Sequence, residues 1–214
     1  MTKEQVLLAE TEKAVKAHLA EAEKGHDWQH IKRVRNMALK IQDAEGGDRL
    51  LIELAALLHD IDDPKFNGGD LKAGGRASAQ MLIALGADET LASKVRFLVE
   101  NCSFKGGQAD TFEPSLELQI LRDADRLDAI GAIGIARTFH YGGFKNQAIY
   151  DPKIPVRDKI SPEAYYHDRS STINHFYEKL LKLKDGMYTQ TAIVIAEERH
   201  TYMEAFLKRF IQEW

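Results

Sequence analysis

Apolar residues recur at helical spacing along most of the chain, and the strict alternation of a half-buried strand is almost absent. From Lys3 to Glu23, Val6, Leu7, Val15, Leu19 and Ala22 fall at such spacings, with Thr2 placed to cap the start and Gly25 beyond the end. A second helix is predicted from about Asp27, a candidate cap, to Glu45; Ile31, Val34, Leu39 and Ile41 form its stripe, and Gly46-Gly47 stop it. The stretch from Arg49 to about Ile61 is denser. Leu50, Leu51, Ile52, Leu54, Leu57 and Leu58 leave little polar face, which predicts a central helix. Pro64 and Asn67-Gly68-Gly69 interrupt the pattern, and further helices are expected at Ala73 to Leu85, Glu89 to Glu100, Ser115 to Ile130, Thr172 to Lys184 and Thr189 to Ile211. Between Tyr141 and Ser171, glycine, proline and aromatic residues crowd together without a period. An irregular segment of about thirty residues is far longer than the usual connection and suits a lid or rim. With no repeat, low-complexity tract or polar linker, the expected fold is one all-α domain over residues 1–214.

Composition narrows the function classes. At 44% apolar and 29% charged, 214 residues can form a substantial core. The balance of 29 Lys and Arg against 33 Asp and Glu lacks the basic excess of a general nucleic-acid binder, so no nucleic-acid partner is expected. No apolar run approaches the roughly 18 to 20 residues of a membrane span, so no membrane partner is expected either. The lone Cys102 cannot form an internal disulfide, and no basic segment followed by an apolar one opens the chain; the expected location is cytoplasmic. Nothing in the sequence fixes the oligomeric state.

Three places carry candidate chemistry. In LIELAALLHDIDD, His59 and Asp60 arrive directly after a run that should be core, where an ionisable group must be paired, solvated or bound to a cation. A helix C-terminal cap by His59 is the plainer alternative. In GHDWQHIKRV, His26 and His30 stand four apart and share a face if the helix starts at or before His26, but the Glu of a zinc protease motif is missing. In QILRDADRLDAIGAIGIAR, Asp123, Asp125 and Asp128 sit on an otherwise apolar helix, and periodicity does not say which of them points inward.

Taken together, His30, the His59-Asp60 pair and one Asp of the 123–128 cluster resemble the H…HD…D signature of the HD superfamily of metal-dependent phosphohydrolases. HDWQHIKRV, AALLHDIDDPKF, DADRLDAIGAIGIARTFHYGG, STINHFYEKLLKLKDGMYT and the AEER near the C-terminus extend the resemblance over most of the chain, to a small bacterial subfamily similar to nucleoside triphosphate pyrophosphohydrolases. The resemblance implies a single HD-domain helical bundle with a metal-binding core at about 26–130 and C-terminal helices at 172–211 completing the cleft. It implies His30, His59, Asp60 and Asp125 as metal ligands, Asp125 taking the last D of the pattern in RDADRLDAI. Two imidazoles and two carboxylates suit one divalent ion, with Mn²⁺ favoured and Mg²⁺, Ni²⁺, Fe²⁺ or Zn²⁺ compatible.

Asp63, four residues after His59, falls where the family often carries an acidic residue and is the expected general base, with Asp62 as its competitor. His26 resembles the first His of the HNxxH arrangement in related phosphodiesterases and is the expected proton donor, with Asp27 replacing the Asn. Candidate cations for phosphate are Lys65, Arg137, His175 and Lys179, with Arg33 and Arg126 equally suited to bracing ligand carboxylates; Tyr141, Tyr165 and Tyr166 could stack on a base. The expected partner is a phosphorylated small molecule, a nucleotide, and the expected reaction is cleavage of nucleoside or deoxynucleoside triphosphates to monophosphate and pyrophosphate. A monophosphate phosphatase or phosphodiesterase with the same site, and a nucleotide-sensing protein without turnover, are the alternatives.

Overall fold

The computed structural model describes residues 1–21, 28–61, 70, 72–102, 112–157 and 170–214. Among them there is no strand, and no helix is long and apolar enough to cross a membrane. The all-α expectation holds. The described residues fall into two compact units that meet in sequence between Ala124 and Asp125.

The first unit contains α1 (Lys3–Glu21), α2 (Trp28–Glu45), α3 (Arg49–Leu58), α4 (Ala73–Ala84), α5 (Glu89–Cys102) and most of α6 (Leu116–Asp128). Several starts are fixed by side chains that occupy otherwise unpaired backbone donors. Thr2 Oγ1 accepts from Gln5 N at 3.2 Å while Gln5 Oε1 accepts from Thr2 N at 2.9 Å, a reciprocal capping box. Asp48 accepts from Leu51 N at 3.1 Å and so begins α3. That helix is central: every residue from Leu51 to Leu58 is buried. Ile31, Val34, Ala38 and Ile41 of α2 and Ala92, Val95, Leu98 and Val99 of α5 supply buried faces, and α1, α2 and α5 all pack on α3. The α4 and α5 helices approach closely at Gly75, where a Cβ would lie 2.3 Å from Glu100 Cγ.

One buried residue of α3 is charged. Glu53 receives Arg35 from α2 at 2.9 Å through Nε and 2.5 Å through an η-nitrogen, and the other η-nitrogen of Arg35 reaches Glu12 of α1 at 2.9 Å. Burying the carboxylate is tolerable because the guanidinium fork meets it there. The pattern of apolar residues gave no sign of this network.

The second unit contains the end of α6, α7 (Gly131–Phe144), α8 (Thr172–Glu178), a 3₁₀ helix (Leu180–Gly186) and α9 (Gln190–Glu213). Ser171 caps α8 through Asn174 N at 3.1 Å and Thr189 caps α9 through Ala192 N at 3.3 Å. Phe139, Phe176 and Phe206 form an aromatic centre with ring centroids 5.9 to 6.1 Å apart, and Phe210, Tyr150 and Trp214 continue it. Glu178, buried at the end of α8, takes Arg157 through two guanidinium bonds of 2.9 and 2.7 Å and Ser170 Oγ at 3.1 Å, so one carboxylate holds two separate stretches of chain. Its acidity is raised by Arg157 and Ser170 against the opposing effect of burial.

Three element expectations shift. The α7 helix lies where no helix is predicted and includes Tyr141–Phe144, the first residues of the expected irregular segment. The dense third helix ends at Leu58, and His59 to Ile61 form a turn. The helix expected over Thr172 to Lys184 breaks at Lys179 (φ −137°) and continues as 3₁₀.

Candidate metal centre

Helix α2 begins its described length at Trp28, and His30 follows on its inward face, buried. Helix α3 runs through the core and ends with His59 as its C-cap at φ −60°, ψ −24°, also buried; Asp60 is the next residue, its side chain 19% exposed. Side chains of neighbouring residues in a continuing helix diverge by about 100°. Placing the pair in the turn that follows Leu58 lets both address one point. His30 Nε2 stands 3.2 Å from His59 Nε2 and 4.0 Å from Asp60 Oδ2, and the two rings meet edge to face at 64°. One donor atom from each of the three lies within 4.8 Å of the others.

His59 Nδ1 lies 2.9 Å from the Ala56 carbonyl, an acceptor only, so Nδ1 carries the proton and donates. In the neutral ring that leaves a lone pair on Nε2, directed at His30. Fixing the tautomer of a metal-binding histidine through its far nitrogen is the usual arrangement in metal sites. Two nitrogens each about 2.1 Å from one ion stand about 3 to 3.4 Å apart. The spacing of the two Nε2 atoms therefore fits a shared cation, and the adjoining carboxylate supplies the negative charge that a divalent ion favours.

The turn bearing His59 and Asp60 is held from two sides. Ile61 N donates to Leu58 O at 3.3 Å, enclosing His59 and Asp60. Ser78 Oγ of α4 reaches Leu58 O at 3.4 Å and Gly74 O at 2.7 Å, while His18 Nε2 of α1 lies 3.0 Å from Ile61 O. No sequence signal links His18 to a carbonyl 43 residues away.

Asp125, the fourth expected ligand, lies half-buried on α6 at the start of the second unit and is not one of the three clustered residues. Asp123 is fully buried, and Asp128 is held by Arg137 at 2.6 Å. Arg137, expected to meet phosphate, thus carries a carboxylate already. Arg126 donates to the Gly186 carbonyl and lies 5.3 Å over the Tyr188 ring. Burial, reinforced by the charge of Lys179, pushes the His175 imidazole down to about 4, so near neutral pH it is a neutral hydrogen-bonding group instead of a cation. Lys179 caps α8, Arg33 is half-exposed on α2, and Tyr141 is exposed on α7. His26, Asp62, Asp63, Lys65, Tyr165 and Tyr166 lie outside the described residues.

Comparison with known proteins places these observations in a family. The model of the HD domain matches residues 27–130. The protein YpgQ of Bacillus subtilis (strain 168) is 36% identical over 196 residues, covering 91% of this chain and 87% of the relative. A crystal structure of an HD-superfamily hydrolase from Bacillus thuringiensis is similar with a TM-score of 0.78 at 43% identity, covering 99% of this chain and 98% of the other. The structure of Bacillus subtilis YpgQ in complex with ADP is similar with a TM-score of 0.75 at 29% identity, covering 100% of this chain and 97% of the other.

Proposed function

This chain belongs to the HD-domain family of metal-dependent phosphohydrolases, and from that premise we propose that it hydrolyses nucleoside or deoxynucleoside triphosphates to the monophosphate and pyrophosphate, with Mn²⁺ as the favoured ion. The single observation that carries the nucleotide part is the relative YpgQ, whose structure is a complex with ADP. The convergence of His30, His59 and Asp60 supports the metal part.

In this reading His30, His59 and Asp60 hold the ion, and Asp125 is the fourth ligand on the resemblance of RDADRLDAI. A divalent cation, when bound, supplies positive charge that polarises a phosphoryl group and makes water more acidic. Asp63 takes the proton from the attacking water as its oxygen bonds to the α-phosphorus. The bond from that phosphorus to the bridging oxygen breaks, and its electron pair leaves with pyrophosphate. His26 stabilises or protonates that leaving oxygen. Among the four groups assigned to the phosphate tail, Lys65 and Lys179 bring positive charge; His175, neutral near pH 7, offers a hydrogen bond, and Arg137 is shared with Asp128.

Ion-exchange chromatography of products from a deoxynucleoside triphosphate incubated with Mn²⁺ tests the proposal. Monophosphate and pyrophosphate in equal amounts are expected. Free nucleoside with triphosphate, or orthophosphate released only from a monophosphate, overturns the pyrophosphohydrolase reading in favour of another phosphohydrolase, and binding without any product favours a sensor.

A further inference from the structure

The hydrogen bond from Ile61 N to Leu58 O closes a turn whose two central residues are His59 and Asp60. At 3.3 Å it is a long bond for a backbone pair, and alone it is a weak restraint on two side chains that must share one cation. Both residues that close the turn are gripped from outside. Leu58 O accepts from Ser78 on α4 at 3.4 Å, a hydroxyl whose shorter bond goes to Gly74 O. Ile61 O faces His18 Nε2 on α1 at 3.0 Å, shorter than the turn's own bond and the contact from Ser78. A carbonyl can only accept, so His18 donates through Nε2.

We infer that His18 is a positioning residue of the metal centre: its Nε2–H holds the carbonyl of Ile61, the residue whose N–H closes the His59-Asp60 turn, and by fixing that residue sets the direction in which both side chains are presented. The inference rests on the metal-centre reading above. It does not require His18 to touch metal or substrate. Partners bonded directly to a ligand side chain change metal affinity by about 10- to 100-fold when removed, and His18, which acts through the backbone of the next residue, is expected at the lower end of that range. The same hydrogen bond in a purely structural role would change the stability of the apoprotein and leave the affinity of the folded molecules alone.

The test is calorimetric titration of Mn²⁺ into the full chain, with urea unfolding of the apoprotein as a parallel measurement. His18→Leu removes the donor, His18→Asn offers one at too short a reach, and His18→Gln places an amide N–H near the position of Nε2. Leu and Asn variants should bind Mn²⁺ about tenfold or more weakly, and the Gln variant within about threefold of wild type. Ser78→Ala should cost less than His18→Leu. Wild-type affinity in the Leu or Asn variant, or a Gln variant as weak as either, overturns the inference. Should the Leu variant fail to fold, the Asn and Gln pair decides the matter. A wild-type chain that takes up no Mn²⁺ overturns the metal-centre reading and the role of His18 with it, whereas normal uptake by both wild type and the His18 variants overturns the role of His18 alone.

Discussion

His59 serves two purposes through its two nitrogens. Nδ1 bonds the Ala56 carbonyl near the end of α3, which is the capping role a histidine often takes there, and this same bond leaves Nε2 to face His30. One side chain thus caps α3 through Nδ1 and turns Nε2 toward His30. The His59-Asp60 pair was legible in the sequence because a charged dipeptide at the end of a wholly apolar helix has few ways to be accommodated. His18, Arg35 and Ser78 were not legible, since each acts through contacts between helices that no local spacing encodes. His175 read as a cation from its sequence neighbours, but burial decides otherwise. Its folded-state value near 4 lies below the ordinary 6.5, so above pH 6.5 the ring is neutral in folded and unfolded chains alike. Between 6.5 and 4 the unfolded chain takes up a proton that the folded chain refuses, and stability falls as pH falls. The loss is complete below 4, at on the order of 3 kcal/mol. Urea unfolding of wild type and His175→Gln over this range should show the wild type losing ground steadily as pH drops. A constant difference between them would mean that the half-buried ring is not kept neutral.

An uninterrupted apolar stripe locates α1 to α6 and α9 to within a few residues, and the pattern is lost where glycine does something other than break the chain. In GAIGIARTFHYGGF four glycines concealed α7. Gly131 does mark a break, with φ +77°, and separates α6 from α7. Gly142 is instead a close approach, because a Cβ there would stand 2.3 Å from Thr172 Oγ1. Gly134 is another, with the Ala129 carbonyl oxygen 2.3 Å from the place of a Cβ. Gly143 has nothing within 4 Å. Gly143→Ala should therefore stabilise by about 0.5 to 1 kcal/mol, the usual gain from alanine within a helix. Gly134→Ala should destabilise by about 1 to 3 kcal/mol, because a backbone carbonyl must move to admit the methyl group. Equal effects in urea unfolding would show that both glycines are there only by chance. The break after Glu178 leaves no mark in the sequence for a different reason: Leu180 and Leu183 are buried three apart, a spacing that 3₁₀ and α geometry share over so short a stretch.

At the scale of the whole chain, buried and half-buried polar contacts tie the helices of the first unit to one another. Arg35 joins α1, α2 and α3 through Glu12 and Glu53, while His18 and Ser78 attach α1 and α4 to the turn that follows α3. His30 and His59, 29 residues apart in sequence, are brought together only by folding, so an unfolded chain has no comparable site. A cation that binds the folded form alone stabilises it by about 2.7 kcal/mol at a free concentration one hundred times its dissociation constant. For a chain of 214 residues, each 1 kcal/mol moves the melting temperature by about 2 to 4 °C. Adding Mn²⁺ at that excess to chelator-treated protein should therefore raise Tm by roughly 5 to 10 °C, and chelator should reverse the rise. His59→Ala removes the nitrogen that faces His30 and should abolish most of the response, even where its own apoprotein melts lower for want of the Ala56 bond. Scanning calorimetry of both proteins with and without the ion separates the effect on the fold from the effect on the site. A wild type indifferent to Mn²⁺, or a variant that gains as many degrees as wild type, would mean that these three side chains converge without holding a metal.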